Sequence, residues 1–119
     1  MNVFLVEDSP LLRSRLEAML GSIPGARLIG QAAGAQQAIG AILADTPDVV
    51  VLDIRLEEGT GFDVLRALQK SAPQVAVYVL TNFPTEPYRR KAEGLGARGF
   101  FDKSGEFERL RDALAAHAD

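Results

Sequence analysis

The chain contains no cysteine and no tryptophan. Without a thiol there is no disulfide, no thiolate metal site and no cysteine nucleophile. Histidine occurs once, as His117 near the last residue. One imidazole excludes a multi-histidine metal centre and gives a Ser-His-Asp arrangement no support; His117 reads as a last-turn residue beside helix-end carbonyls. No apolar run approaches the roughly 18 residues of a membrane span. The first residues carry neither the basic start nor the cleavage site of a signal peptide. A cytoplasmic location is therefore expected, with no membrane partner. Positive charge is also scarce: 13 Lys and Arg stand against 16 Asp and Glu, for a net charge of -3. That balance leaves no basic footprint for direct nucleic-acid binding.

What remains is ordinary globular composition, 47% hydrophobic and 24% charged, over 119 residues. It fits one domain spanning 1–119, with no linker, repeat or low-complexity tract. Short β-branched runs alternate with stretches of helical period. Val3-Phe4-Leu5-Val6 is followed by Ser9-Pro10, an N-cap with proline at the first helical position, and then by Leu12, Leu16, Met19 and Leu20 on one helix face. Arg27 to Gly30 is a weak strand; Ala35, Ala38, Ile39, Ile42 and Leu43 repeat the helical spacing until Thr46-Pro47 stops it. Val49 to Leu52 is apolar without alternation, the mark of a central parallel strand covered on both faces. A helix with Val64, Leu65 and Leu68 precedes the apolar run Val75 to Leu80, which ends at Thr81. A helix from Thr85 to about Leu95, a short strand Gly99-Phe100-Phe101, and a helix capped by Ser104 with Phe107, Leu110 and Leu114 inward complete the pattern.

These are five βα units, (βα)5, which imply a parallel α/β sheet with right-handed crossovers. Ligands in such a doubly wound sheet bind beyond the carboxyl ends of the strands, where strand order reverses. Glu7 and Asp8 follow the first strand, Asp53 the third, Thr81 ends the fourth, and Lys103 follows the fifth. Three carboxylates converging from two neighbouring strands need a proton or a cation. Mg²⁺ fits, because it takes oxygen ligands from one or two carboxylates and shares phosphate oxygens. Adding a lysine and a hydroxyl makes a set suited to phosphoryl transfer, in which an aspartate can itself be the nucleophile.

In these segments the chain resembles the receiver domain of two-component response regulators over essentially its whole length. The matching pieces are Val3-Phe4-Leu5-Val6-Glu7-Asp8-Ser9, Pro47-Asp48-Val49-Val50-Val51-Leu52-Asp53-Ile54, Gly61-Phe62-Asp63-Val64-Leu65, Val79-Leu80-Thr81, and Gly96-Ala97 through Gly99-Phe100-Phe101-Asp102-Lys103. The resemblance implies a flavodoxin-like five-stranded sheet of order 2-1-3-4-5. It implies that Asp53 accepts a phosphoryl group from a sensor histidine kinase or phosphotransfer protein. Glu7, Asp8 and Asp53, with the backbone carbonyl of Arg55, would hold Mg²⁺. Thr81 and Lys103 would bind the phosphoryl oxygens, and Thr81 with Phe100 would form the switch. Output would run through the face of the fourth helix, fifth strand and fifth helix to an unknown partner; a homodimer is one assembly the resemblance allows.

Four positions depart from that pattern: Glu57 stands where proline is common, Asn82 for Ala or Gly, Ser104 for a proline often preceded by a cis bond, and Phe100 for tyrosine. Glu57 and Glu58 are expected to face solvent, and so is the run Arg89-Arg90-Lys91. Gly94-Leu95-Gly96-Ala97-Arg98-Gly99 spells a G-x-G-x-x-G, but a helix precedes it and a strand follows, so it reads as a helix C-cap and turn. Three rival readings stay open. A Mg²⁺-dependent phosphohydrolase would need an acid/base residue where Arg55 stands. A flavodoxin-like cofactor binder would need a Ser/Thr/Gly loop where Glu7-Asp8-Ser9-Pro10 stands. The third is a receiver-like module that binds partners without phosphorylation.

Overall fold

Ser9 adopts extended backbone and its hydroxyl accepts the Leu12 N–H at 3.3 Å, so the chain turns into helix α1 (Pro10–Gly21) where Pro10 fixes the first helical φ. Leu12, Leu16, Met19 and Leu20 are its buried residues, as the spacing predicts. The computed structural model describes residues 1–118. Strands β1 (Asn2–Val6), β2 (Arg27–Ala32), β3 (Val49–Leu52), β4 (Ala76–Thr81) and β5 (Gly99–Asp102) alternate with α1, α2 (Ala35–Ala44), α3 (Gly61–Ser71), α4 (Glu86–Gly94) and α5 (Phe107–Ala118). All strand pairs are parallel, in the order β2-β1-β3-β4-β5. This is the predicted doubly wound α/β sheet.

Period-two alternation sends β1 side chains to both faces of the sheet. Phe4 and Val6 join a core with residues of α2, α3 and α4, while Val3 and Leu5 join one with residues of α1 and α5. Every residue of β3 and β4 is buried, which explains their unbroken apolar runs. The chain leaves β1 for β2 on one side and then crosses to β3 on the other. Strand order therefore reverses at β1 and β3, and a crevice opens beyond their carboxyl ends.

Several local expectations are corrected. Ser104 does not cap α5: it lies before the helix, and its N–H and hydroxyl both bond the Asp102 carboxylate, at 2.9 and 2.8 Å. The first turn is instead anchored by the Glu106 carbonyl, which accepts the Leu110 N–H. Leu43 of α2 is exposed and only Ala35, Ala38 and Ile42 are fully buried, because ten residues present a narrow stripe to the sheet. β2 runs two residues past Gly30, paired with Leu5 and Val6. His117 sets its ring edge-on to Tyr78, centroids 6.4 Å apart.

Gly94 to Gly99 forms the expected C-terminal turn. Gly96 has φ +97°, Gly96 N–H bonds the Glu93 carbonyl, and Ala97 N–H bonds the Ala92 carbonyl, which together satisfy the helix-end acceptors. Gly61 is needed for a different reason. Any Cβ there would collide with the Asp53 carbonyl and approach the Ile54 Cα to 3.0 Å. Neither neighbour is a flexible side-chain end. Gly61→Ala is expected to destabilise the fold by about 2–3 kcal/mol through this overpacking, measured by urea unfolding against a surface Gly40→Ala control.

Candidate functional site

The register Val6↔Leu52 brings the residues after β1 and β3 side by side at the crevice. Glu7 is held by its N–H on the Ala32 carbonyl and Asp53 by its N–H on the Val6 carbonyl, each at 3.0 Å. Glu7, Asp53 and Thr81 are the buried polar side chains among the described residues, at 2%, 6% and 0% exposure. Asp8 is exposed at the rim. Each of the three acids offers an oxygen within 4.8 Å of the others'.

Lys103 reaches into this group from the loop after β5. Its Nζ lies 2.6 Å from Asp53 Oδ2 and 2.9 Å from Glu7 Oε1. The other oxygens are also engaged: Asp53 Oδ1 accepts the Ile54 N–H at 2.7 Å and Glu7 Oε2 accepts the Ser9 N–H at 3.0 Å. Burial raises the Glu7 carboxyl above its ordinary value, outweighing the hydrogen bonds from Lys103 and Ser9. Burial also pulls the Lys103 ammonium down, but its hydrogen bonds to Asp53 and Glu7 prevail and hold it above the usual lysine value. Lys103 therefore stays charged at neutral pH.

Three carboxylates against one ammonium leave two negative charges uncompensated, the amount one divalent cation supplies. The donor set fits Mg²⁺. All three side chains offer hard oxygens, within 4.8 Å of one another, of the kind Mg²⁺ takes. Thr81, last residue of β4, accepts the Phe83 N–H at 3.0 Å on Oγ1 and so keeps its own proton to donate. Asn82 is exposed and, with Lys103, Ser104, Ser9, Leu12 and Arg15, lines a cleft of about 250 Å³ beside the acids. Arg55 follows in the β3–α3 loop, its guanidinium 4.0 Å from the Phe83 ring centroid on the β4–α4 loop. Phe100 is buried on β5 opposite Val79.

The turn that carries Lys103 is held without proline. Its peptide bonds are trans. Asp102 N–H donates to Glu106 Oε1 at 3.0 Å, Glu106 N–H to the Asp102 carbonyl at 2.9 Å, and Lys103 N–H to the Thr81 carbonyl at 2.9 Å. The Ser104 N–H and hydroxyl hold the Asp102 carboxyl below its ordinary value. A depressed carboxyl adds stability above the ordinary carboxylate range and loses it as pH falls through the depressed value, so this turn is weakest in acid.

One expectation about surface charge changes. Of Arg89-Arg90-Lys91, Arg90 and Lys91 are exposed, Lys91 with its Nζ 4.5 Å over the Phe62 ring, whereas Arg89 is half-buried: it lies over the Phe100 ring at 4.9 Å and donates to its carbonyl at 3.4 Å. Glu57 and Glu58 are both exposed, as expected, and the Glu58 carboxylate in addition accepts the Gln36 N–H at the start of α2. Its sequence signal is indirect: Gly34 precedes α2 with no side chain to cap it.

Comparison with known proteins agrees with this geometry. A family model described as the response regulator receiver domain matches residues 3–115. The uncharacterized transcriptional regulatory protein YvfU of Bacillus subtilis is 34% identical over 112 residues, covering 94% of this chain and 56% of that protein. The DNA-binding transcriptional activator DevR/DosR of Mycobacterium tuberculosis is 34% identical over 101 residues, covering 85% of this chain and 46% of its own length. The chain thus spans about half the length of the curated relatives it matches. The signal receiver domain of the response regulator NarL from M. tuberculosis superposes with a TM-score of 0.89 at 25% identity, covering 98% of this chain and 94% of that one. Sequence match and fold agree: the chain belongs to the response regulator receiver domain family.

Proposed function

We propose that Asp53 accepts a phosphoryl group from a phosphohistidine on a sensor kinase or phosphotransfer protein, and that the domain changes state in response. The observation that carries this reading is the buried Asp53 carboxylate, paired with Lys103 and flanked by Glu7 and Asp8. In the transfer, an Asp53 oxygen forms the new bond to phosphorus as the phosphorus–nitrogen bond breaks. The imidazole leaves with that electron pair and takes a proton from solvent. Lys103, already at the nucleophile, pairs with the incoming oxygens as a mobile point charge. Glu7, Asp8, Asp53 and the Arg55 carbonyl would hold Mg²⁺, which neutralises charge on the phosphoryl oxygens when bound.

The switch follows from what must rearrange. A phosphoryl group adds a charge of about -1.5 to -2 and strong acceptor oxygens. Thr81 donates to it and, through the Phe83 N–H on its oxygen, draws the β4–α4 loop along. Arg89, seated on Phe100, links that movement to the face of α4, β5 and α5, where an output partner or attached output domain would read it. Reversing a 1:99 population takes about 5.5 kcal/mol, within reach of a few charge-assisted hydrogen bonds at about 1.5–3 kcal/mol each. A guanidinium carries donors and no acceptor, so Arg55 supplies no general base for turnover of a phosphomonoester substrate. A stoichiometric switch is the better fit.

The test is intact-mass analysis after incubation with acetyl phosphate, with Mg²⁺ or with EDTA. A single gain of about 80 Da in Mg²⁺ and none in EDTA is expected. An unmodified mass in both would leave only a phosphorylation-independent binding module.

A further inference from the structure

The β3–α3 loop closes on itself through the Gly61 N–H on the Ile54 carbonyl, at 2.7 Å, and an Arg55–Thr60 bridge. Those contacts set the loop's shape, but its seat on the body of the protein comes from elsewhere. The Glu58 carbonyl accepts the Ala35 N–H at 2.9 Å and the Glu58 Oε1 accepts the Gln36 N–H at 3.0 Å. A return bond runs from the Glu57 N–H to the Ala33 carbonyl, at 3.2 Å. These are the first amides of α2, which Gly34 leaves without a side-chain cap. The fit is close on both sides. A Cβ at Gly34 would lie 3.1 Å from Glu58 Oε1, and one at Gly59, where φ is +70°, would lie 2.6 Å from the Ala35 Cβ.

We propose that Glu58 is a positioning residue: its carboxylate seats the β3–α3 loop on the start of α2 and thereby fixes where Arg55 presents its backbone carbonyl to the cation. This rests on the proposed role of the Glu7, Asp8 and Asp53 cluster as a Mg²⁺ site. Glu58 is not one of the clustered acids that would hold the cation. It acts through the acceptor it offers Gln36, and the acceptor matters, not the charge.

That distinction makes the idea testable on the whole chain. Mg²⁺ binding is measured by titration calorimetry for the parent, Glu58→Ala, Glu58→Gln and Glu57→Ala, with amide exchange at Gln36 followed by NMR. Glu58→Ala should weaken Mg²⁺ binding about ten-fold, as loss of a supporting contact does at metal sites, and accelerate Gln36 exchange. Glu58→Gln keeps an acceptor oxygen and should stay within about two-fold of the parent; Glu57→Ala removes the same charge next door and should do likewise. A parent-like constant for Glu58→Ala overturns the proposal, and so does Glu58→Gln behaving like Glu58→Ala, which would make the effect one of charge. Failure of the parent to bind Mg²⁺ would overturn this proposal together with the cation site. A parent that binds alongside an indifferent Glu58→Ala overturns the positioning role alone.

Discussion

Asp53→Ala is expected to keep its unmodified mass under conditions in which the parent gains about 80 Da from acetyl phosphate and Mg²⁺. The loss should be complete, because the other carboxylates cannot substitute. Burial raises the Glu7 carboxyl and so disfavours its ionised, nucleophilic form, and Asp8 lies at the exposed rim with no hydrogen bond to Lys103. The variant should still fold. Lys103 retains Glu7 at 2.9 Å, while the buried Ile54 N–H loses its acceptor, at a cost of about 1–3 kcal/mol. Asp53→Asn offers the check on that point, since its amide oxygen continues to accept the Ile54 N–H while losing nucleophilicity. Both variants should remain unmodified with near-parental circular dichroism. An adduct of parental yield on Asp53→Ala would refute the site.

Lys103→Met should separate two quantities that a simple loss of function would move together. Lys103 and a divalent cation compete for oxygens of Glu7 and Asp53. At an effective dielectric of about 20, one unit charge 4 Å from another is worth about 4 kcal/mol. Removing the ammonium should therefore tighten Mg²⁺ binding by at least about ten-fold. Phosphorylation should nevertheless fall about 10²–10³-fold, the usual cost of deleting one preorganised charge partner of a transferring group. Without Mg²⁺ the variant should lose about 3–5 kcal/mol of stability, because two buried carboxylates lose their counter-charge.

The sign of the pH dependence follows. Glu7 already sits above its ordinary value through burial and moves higher without Lys103. A raised carboxyl destabilises the fold above its folded value and ceases to do so as pH falls through it. Metal-free Lys103→Met should accordingly melt at a higher temperature on mild acidification, and added Mg²⁺ at neutral pH should restore the same stability. Calorimetry reads the Mg²⁺ affinity, thermal melts with and without Mg²⁺ read the stability and its pH dependence, and intact mass over time reads phosphorylation. Parental phosphorylation rates in this variant would remove Lys103 from the site.

The strand ends were legible in the sequence because a parallel α/β sheet leaves few places for chemistry. Once Val3–Val6 and Val49–Leu52 read as parallel strands, Glu7, Asp8 and Asp53 had to lie at one rim, and Lys103 after the last strand had to lie at the same edge of the sheet. The contacts made by loops were not legible in the same way. Ser104 looked like a helix cap because serine before an apolar-periodic stretch is a common cap. It serves Asp102 instead, because the chain needs two more residues to turn before α5 starts at Phe107. Glu58 is exposed as expected, but its contact was hidden, because the partner, the Gln36 N–H, is a backbone group 22 residues away and no pattern of side chains marks it. Arg89 looked like one charge in a basic run, and the direction of its side chain over Phe100 depends on how α4 packs against β5.

Residue periodicity alone determined the order of elements, the two-sided burial of the central strands and the set of chemical groups brought to one edge. These depend on local geometry, in which side chains repeat every two residues in a strand and about every 3.6 in a helix. Tertiary structure alone decided the ion pairing of Lys103, the anchoring of the two loops beside Asp53 and the seat of Arg89 on Phe100. Such contacts join backbone and side-chain atoms far apart in the chain, and their partners become neighbours only when the helices have packed onto the sheet.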